Sequence, residues 1–301
     1  MQALFAFQNQ DESEMRDLEK FLNNSMAQTY TLYLYMLQLL VELHKLAEYR
    51  LEKQMTRHLA TPEDLNPSRN FVENRILCKL AASEELKDSL EKRKLKPWDL
   101  NDKYIKNLFD RICESKAYVV YMSEPETSLK KDLSFLIQIY SDIIVPSDEI
   151  MDFLEDENLT WMDDYPLVNT AMIMFLRKVK PSKEVRLPSL FKDESDAKFT
   201  MDLFRKSLLN QDEYQQRIEG KTPNWEKDRI AQLDLILIQM AQAEFLNFSS
   251  IPVKVTMNEY LEISKDYSTP KSSFFINGIL DNLVKEFEKE GVLNKMGRGL
   301  M

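Results

Sequence analysis

The chain has 301 residues, and a hydrophobic fraction of 44% is enough for a substantial core, which sets disorder aside. Five glycines are too few for a glycine-rich dinucleotide fold, a phosphate-cradling loop enzyme or a turn-dense β-sandwich; with eleven prolines they point to helices joined by short connections. The formal net charge of −10 excludes an indiscriminate phosphate-coating protein but leaves room for a local nucleic-acid site.

In chain order, Met1 to Gln8 reads as the end of a helix. Glu12 to Leu22 follows, then a long amphipathic helix from about Ser25 to His58 with Leu32, Leu34, Met36, Leu39, Leu40, Leu43 and Leu46 on its apolar stripe. Pro62 and Pro67 mark a loop, Asn70 to Lys94 is the next helix, and Pro97 closes it. Further helices are expected over Asp102–Met122, Ser128–Val145, Ser147–Leu159 and Tyr165–Val179, with a loop from Lys180 to Pro188. No segment alternates strictly enough for a strand, and no internal repeat is present.

From Asp196 onward 14 basic residues meet 16 acidic ones, whereas the first 195 residues carry 26 against 34, so the acidity lies upstream. This last part opens with a helix over Asp196–Arg217 and a turn at Gly220–Asn224. Asp228–Leu246 is apolar on almost every side, the signature of a helix buried within a bundle. Thr256 and Glu259 match a capping box, which predicts a helix starting there and running to about Tyr267. Thr269-Pro270 predicts the next start, and the final helix carries Phe275, Ile276, Ile279, Leu280, Leu283, Val284 and Phe287 on one face. Gly278 costs that helix about 1 kcal/mol relative to alanine, so a close helix approach is expected there.

Little in the sequence points to catalysis. Cys78 and Cys113 belong to no CxxC pair and read as buried small hydrophobes in a reducing, cytoplasmic compartment. His44 and His58 have no ligand partner at helical spacing and read as surface or flanking residues. Asp152, Glu155, Asp156, Glu157, Asp163 and Asp164 lack calcium-loop spacing and read as a solvated face, with a partner-binding role as the alternative. No metal site, cofactor or enzymatic activity is expected. No signal peptide is expected, since no charged-then-apolar segment opens the sequence, and the apolar stretches Tyr30–Leu43 and Ile230–Leu246 are too interrupted by polar residues to cross a membrane. Lys92, Arg93, Lys94 and Lys96 beside Trp98 read as a solvated helix end, with a single-strand platform as the alternative. Lys289, Lys295 and Arg298 read as a mobile basic end.

The last hundred residues carry three ordered motifs. Asn224, Trp225, Asp228, Arg229 and Asp234, followed by Ala241 and Glu244-Phe245-Leu246, resemble the central helix of the NusB antitermination family. Ile251 to Lys265, with Asn258-Glu259, resembles the family segment that follows, and Phe275 to Asp281, with Asn277-Gly278, resembles its last helix. Upstream, Asp196–Ile218 resembles the preceding family helix, and Gln2 to Phe7 the end of the first one. The likeness covers roughly a third of the chain.

The resemblance implies an all-α, NusB-like helical bundle, formed by residues 1–9 and 191–301 and interrupted by a large helical insertion over 10–190. It implies a transcription antitermination factor that binds boxA-type single-stranded RNA together with the ribosomal protein NusE, within the RNA polymerase antitermination complex that supports ribosomal RNA synthesis. Carried over position by position, the family's RNA face falls on Gln2, Phe5, Trp225, Arg229, Asp234, Lys271 and Phe275. Phe5 and Trp225 are alternatively core residues, and Arg229 a surface ion-pair partner. The sequence opens inside the family's first helix without its arginine-rich arm, and Lys271 replaces a commonly acidic residue; weaker RNA affinity is the expectation. The alternatives are a helical protein-interaction scaffold with little RNA binding, or a stand-alone relic of an RNA methyltransferase N-terminal domain.

Overall fold

Helical periodicity translates directly into backbone: among the described residues every regular element is helical. A computed structural model describes residues 1–8, 15–56, 67–180, 182–219, 221 and 231–296. The features read at His58, Pro62, Gly220, Trp225, Arg229 and Arg298 lie outside them. The chain divides into two units, one formed by Met1–Asn23 with Phe191–Met301 and the other by Asn24–Leu190. No helix among the described residues is long and apolar enough to cross a membrane.

In the first unit, α1 (Gln2–Gln8) and the start of α2 (Met15–Met55) join α10 (Glu194–Leu209), α11 (Gln211–Glu219), α12 (Gln232–Asn247), α13 (Val253–Tyr267) and α14 (Ser272–Glu290). Helix α12 is buried on all sides from Ile236 to Phe245 and packs against α1, α10, α11, α13 and α14. Most of its buried polar groups are paired, the Gln242 Oε1 excepted. Gln242 Nε2 donates to Tyr214 O (3.1 Å), and the Glu244 carboxylate accepts from Thr256 Oγ1 (2.7 Å) and Tyr260 OH (3.1 Å).

Three expectations in this unit are corrected. Thr256 does not start α13: the helix begins at Val253 behind Pro252, and the Thr256 hydroxyl is buried on Glu244. Gly278 admits no close helix, because a side chain built there meets nothing within 4 Å. The basic end is docked as far as Met296. Gly291, at φ +69°, takes the left-handed conformation that closes α14, and its N–H bonds back to Glu288 O. Lys295 Nζ then bonds Phe248 O (3.0 Å) and Glu244 O (3.4 Å), satisfying carbonyls at the end of α12.

The second unit contains the rest of α2 with α3 (Arg75–Ala81), α4 (Glu84–Lys92), α5 (Asp102–Glu114), α6 (Lys116–Ser123), α7 (Leu129–Ile139), α8 (Asp148–Glu157) and α9 (Trp161–Leu176). A π turn over Tyr140–Ile144 follows α7. Helix α2 is one continuous element across the expected break near residue 23, and between Thr31 and His44 only Gln38 and Glu42 reach partial exposure. Two expected single helices are each divided by a serine that caps the second half: Ser83 Oγ accepts from Leu86 N, and Ser115 Oγ from Tyr118 N. The Asp196–Arg217 helix is likewise divided, at Asn210. Helix α9 starts at Trp161, ahead of the expected Tyr165, because Trp161 is buried and its Nε1 donates to Gln28 O (3.0 Å).

The two cysteine and histidine readings change as well. His44 is only 3% exposed; its Nε2 lies 2.8 Å from Val72 O and its Nδ1 3.7 Å from Glu48. Cys78 is exposed rather than buried, with its Sγ turned to Val72 O (3.1 Å) and 3.8 Å from His44 Nε2. Desolvation of that thiol and the Glu48 charge push it above the usual cysteine range, the opposite of an activated nucleophile. Trp98 is buried, with Nε1 donating to Tyr35 O (3.2 Å), so it offers no platform for a single strand.

Candidate nucleic-acid interface

The candidate site lies in the first unit, where α12 begins and α13 turns into α14. Ser268 Oγ donates to Asp234 Oδ1 at 2.5 Å, and the same hydroxyl lies 2.9 Å from Ser272 Oγ. Thr269 Oγ1 and Ser272 Oγ are 2.8 Å apart. This chain of short polar contacts fastens the first turn of α12 to the first turn of α14. Helix α14 starts at Ser272, later than Thr269-Pro270 suggests, because Thr269 O takes the Ser272 N–H in a turn before the helix (2.9 Å). No side chain caps it from Lys271, and with the Ser272 N–H taken by Thr269 O the positive dipole end of the helix lies beside an exposed lysine.

The sequence candidates occupy different positions relative to this junction. Lys271 is exposed at the start of α14. Phe275, one turn later, is half-buried against the core containing Ile276, Ile279 and Leu280. Asp234 is only 4% exposed, and its carboxylate is held by Ser268. Gln2 and Phe5 are exposed on α1, with Phe5 at 38%, while their neighbours Ala3 and Leu4 are buried in the same core. Helix α1 packs on α12.

Phe274 is a residue that the motif reading did not name. It is 82% exposed, one turn after Lys271 and Pro270 and one turn before bare Gly278, with Asn277 also exposed. Helical phase carries the signal: Phe275 shares a stripe with Ile279, whereas Phe274 falls with Gly278, Asp281 and Lys285 on the wet face. An unburied ring beside a cation at the positive end of a helix can stack an unpaired base and hold its phosphate.

A second feature of this unit is a cavity of about 660 Å³ between α10, α12 and α13. Its walls include Phe199, Leu203, Met240, Val255 and Ile263, with Glu244 reaching it from α12. Burial raises the Glu244 carboxyl above its ordinary range, against the lowering effect of the Thr256 and Tyr260 hydrogen bonds. Lys295 is lowered by burial. Among the described residues no group of three or more histidine, cysteine or carboxylate side chains is placed to hold a metal ion.

Comparison with known proteins fits this geometry. The NusB family profile matches residues 177–285, which contain the whole Asp234–Ser268–Ser272 junction. A transcription antitermination protein NusB of Salinibacter ruber is 44% identical over 117 residues, covering 39% of this chain and 72% of the relative. The chain belongs to the NusB family. A NusB of Chloroherpeton thalassium is 42% identical over 103 residues, 34% of this chain and 49% of its own length. One of Koribacter versatilis is 36% identical over 98 residues, 33% of this chain and 67% of its own length. No solved structure matches the chain. The NusB match ends at residue 285, so the Gly291 closure of α14 and the Lys295 cap lie beyond it.

Proposed function

We propose that this chain is a non-enzymatic, cytoplasmic transcription antitermination factor. In this reading residues 1–9 and 191–301 form the NusB-like part and 10–190 an insertion. The factor binds boxA-type single-stranded RNA with the ribosomal protein NusE and acts within an RNA polymerase antitermination complex during ribosomal RNA synthesis.

The observation that carries this reading is the α14 start. Lys271, the positive end of α14 and the bare Phe274 ring stand together on a junction fastened by Asp234 and Ser268. Lys271 and the helix end hold a phosphate, and Phe274 stacks a base. Asp234 acts as a positioning residue, since its carboxylate is spent on Ser268. Phe275 contributes its exposed edge, and Gln2, Phe5, Trp225 and Arg229, carried over from the family, are proposed as further RNA contacts. The mostly apolar cavity beside Glu244 suits a protein partner better than a base, whose polar edges would stay unpaired there.

Co-purification with the ribosomal partner, with and without boxA-type RNA, tests this reading. RNA should increase recovery of the partner, and Phe274→Ala together with Lys271→Glu should remove that increase. Partner recovery that ignores RNA altogether would favour the protein-interaction scaffold, to which the acidic charge of the chain also lends itself.

A further inference from the structure

The unit formed by residues 24–190 carries two complementary features at opposite ends of α9. Beyond its C-terminal end, Arg177, Lys178, Lys180, Lys183 and Arg186 fall within ten residues of an otherwise acidic half-chain, with Glu184 as the one carboxylate between them. Lys178, Lys180 and Lys183 rim a cavity of about 470 Å³ floored by Met174, Phe175 and Val185. Arg186 is engaged by Glu184 at 3.1 Å, but no carboxylate of the described residues pairs with those three lysines. A cavity of this size takes one large apolar side chain.

At the other end, α8 finishes in the exposed acids Asp152, Glu155, Asp156 and Glu157, and the turn after it presents Leu159 at 69% exposure. The helix dipole of α9 accounts for acids near its start and bases past its end. It accounts for neither a bare leucine nor an unfilled apolar cavity. Sixteen residues of α-helix separate the two features by about 24 Å, so they cannot meet within one copy.

We infer that this unit associates head to tail with a second copy of the chain: the acidic corner and Leu159 of one molecule dock in the lysine-rimmed cavity of the next. Charge complementarity selects this occupant. The apolar floor argues against a nucleobase, whose edges would be desolvated without partners. Such an interface is heterologous, so the assembly grows with concentration unless it closes into a ring, and its electrostatic part weakens with salt. The inference does not depend on the RNA reading of the other unit.

Sedimentation velocity of the full chain over a wide concentration range tests it. The average mass should rise with concentration at low salt and fall back as salt is added. Lys178→Glu with Lys183→Glu should weaken association at least tenfold, as should Glu155→Lys with Asp156→Lys, and Leu159→Ser should weaken it without any change of charge. All five positions are exposed, and circular dichroism checks that each variant keeps its helices. Mixing the two charge-reversed proteins should restore association, because each then offers the other a complementary surface. A wild-type chain that stays monomeric throughout overturns the inference. So does association indifferent to the reversals, or a mixture that fails to recover. If the lysine reversal instead abolishes binding of a single-stranded RNA oligonucleotide and leaves the mass unchanged, the cavity is a nucleic-acid site and the inference also fails.

Discussion

The Ser268 hydroxyl sits 2.5 Å from the Asp234 carboxylate, joining the start of the central helix to the turn that launches α14. Asp234 is almost wholly buried, so removing its side chain strands the Ser268 hydroxyl and the polar pair behind it. A hydrogen bond to a charged group contributes about 1.5–3 kcal/mol. Asp234→Ala should lower the stability of this unit by that amount in urea unfolding. Asp234→Asn, which keeps an acceptor, should recover at least half of the loss. Equal losses in the two variants would mean that the bond is not what holds the junction.

Phe274 and Phe275 are neighbours with opposite surroundings. Phe274→Ala should leave the thermal midpoint unchanged, because the ring buries almost nothing, and should weaken RNA binding. Phe275→Ala should cost about 1–3 kcal/mol through lost packing against Ile276 and Ile279. Thermal melts of the two variants decide the matter; a large stability loss for Phe274 would contradict its placement on the wet face.

Gly278→Ala should stabilise the chain by about 1 kcal/mol. Nothing approaches within 4 Å of the added methyl group, and the position lies inside a long helix. A destabilised variant in chemical denaturation would reveal a neighbour packed against that face.

How much of this was legible in the sequence depends on the range of the interaction. The all-helical fold and the fully buried α12 follow from apolar periodicity, which is a local signal. Ser83 and Ser115 divide helices that look continuous, because a hydroxyl in a helical pattern carries no mark of whether it caps or points outward. Thr256 shows the reverse. Its spacing to Glu259 fits a cap, yet its hydroxyl goes to Glu244 on another helix, a partner that sequence spacing does not indicate. His44 lies on the buried side of α2 between Leu40 and Ala47, and Val72 O supplies a polar partner from a distant loop. At the start of α14 the motif names Phe275, whereas helical phase places Phe274 as the more exposed ring.

Glu244 gives a pH signature. Burial raises its carboxyl in the folded state above the unfolded value of about 4.3. A raised folded value means a contribution to stability that is complete below the unfolded value and is lost as pH rises through the folded one. Glu244→Gln removes that titration, so the stability of the variant relative to wild type should improve as pH rises from the acid side toward neutrality. Denaturant midpoints at a series of pH values check this, and parallel curves would contradict it.

Asp132 is fully buried, receiving Arg75 Nη1 at 2.6 Å and Tyr121 OH at 2.8 Å. Asp132→Ala leaves both donors without their acceptor, and the cost should be about 3 kcal/mol, at the lower end for a broken buried pair because Arg75 reaches water. Denaturant unfolding monitored by hydrogen exchange in α3 and α7 measures it. A loss below about 1 kcal/mol, the level of a surface pair, would show that Asp132 is not an anchor of this unit.

The central claim is that the α14 start reads single-stranded RNA. Its most direct test is the binding of a labelled boxA-type RNA to the full chain across a salt series, with and without the ribosomal partner, for wild type and Lys271→Glu. Affinity should fall linearly on logarithmic axes as salt rises, be tighter with the partner, and show a shallower salt slope once Lys271 is reversed. Absence of specific binding at low salt even with the partner, or an unchanged slope in Lys271→Glu, would contradict it.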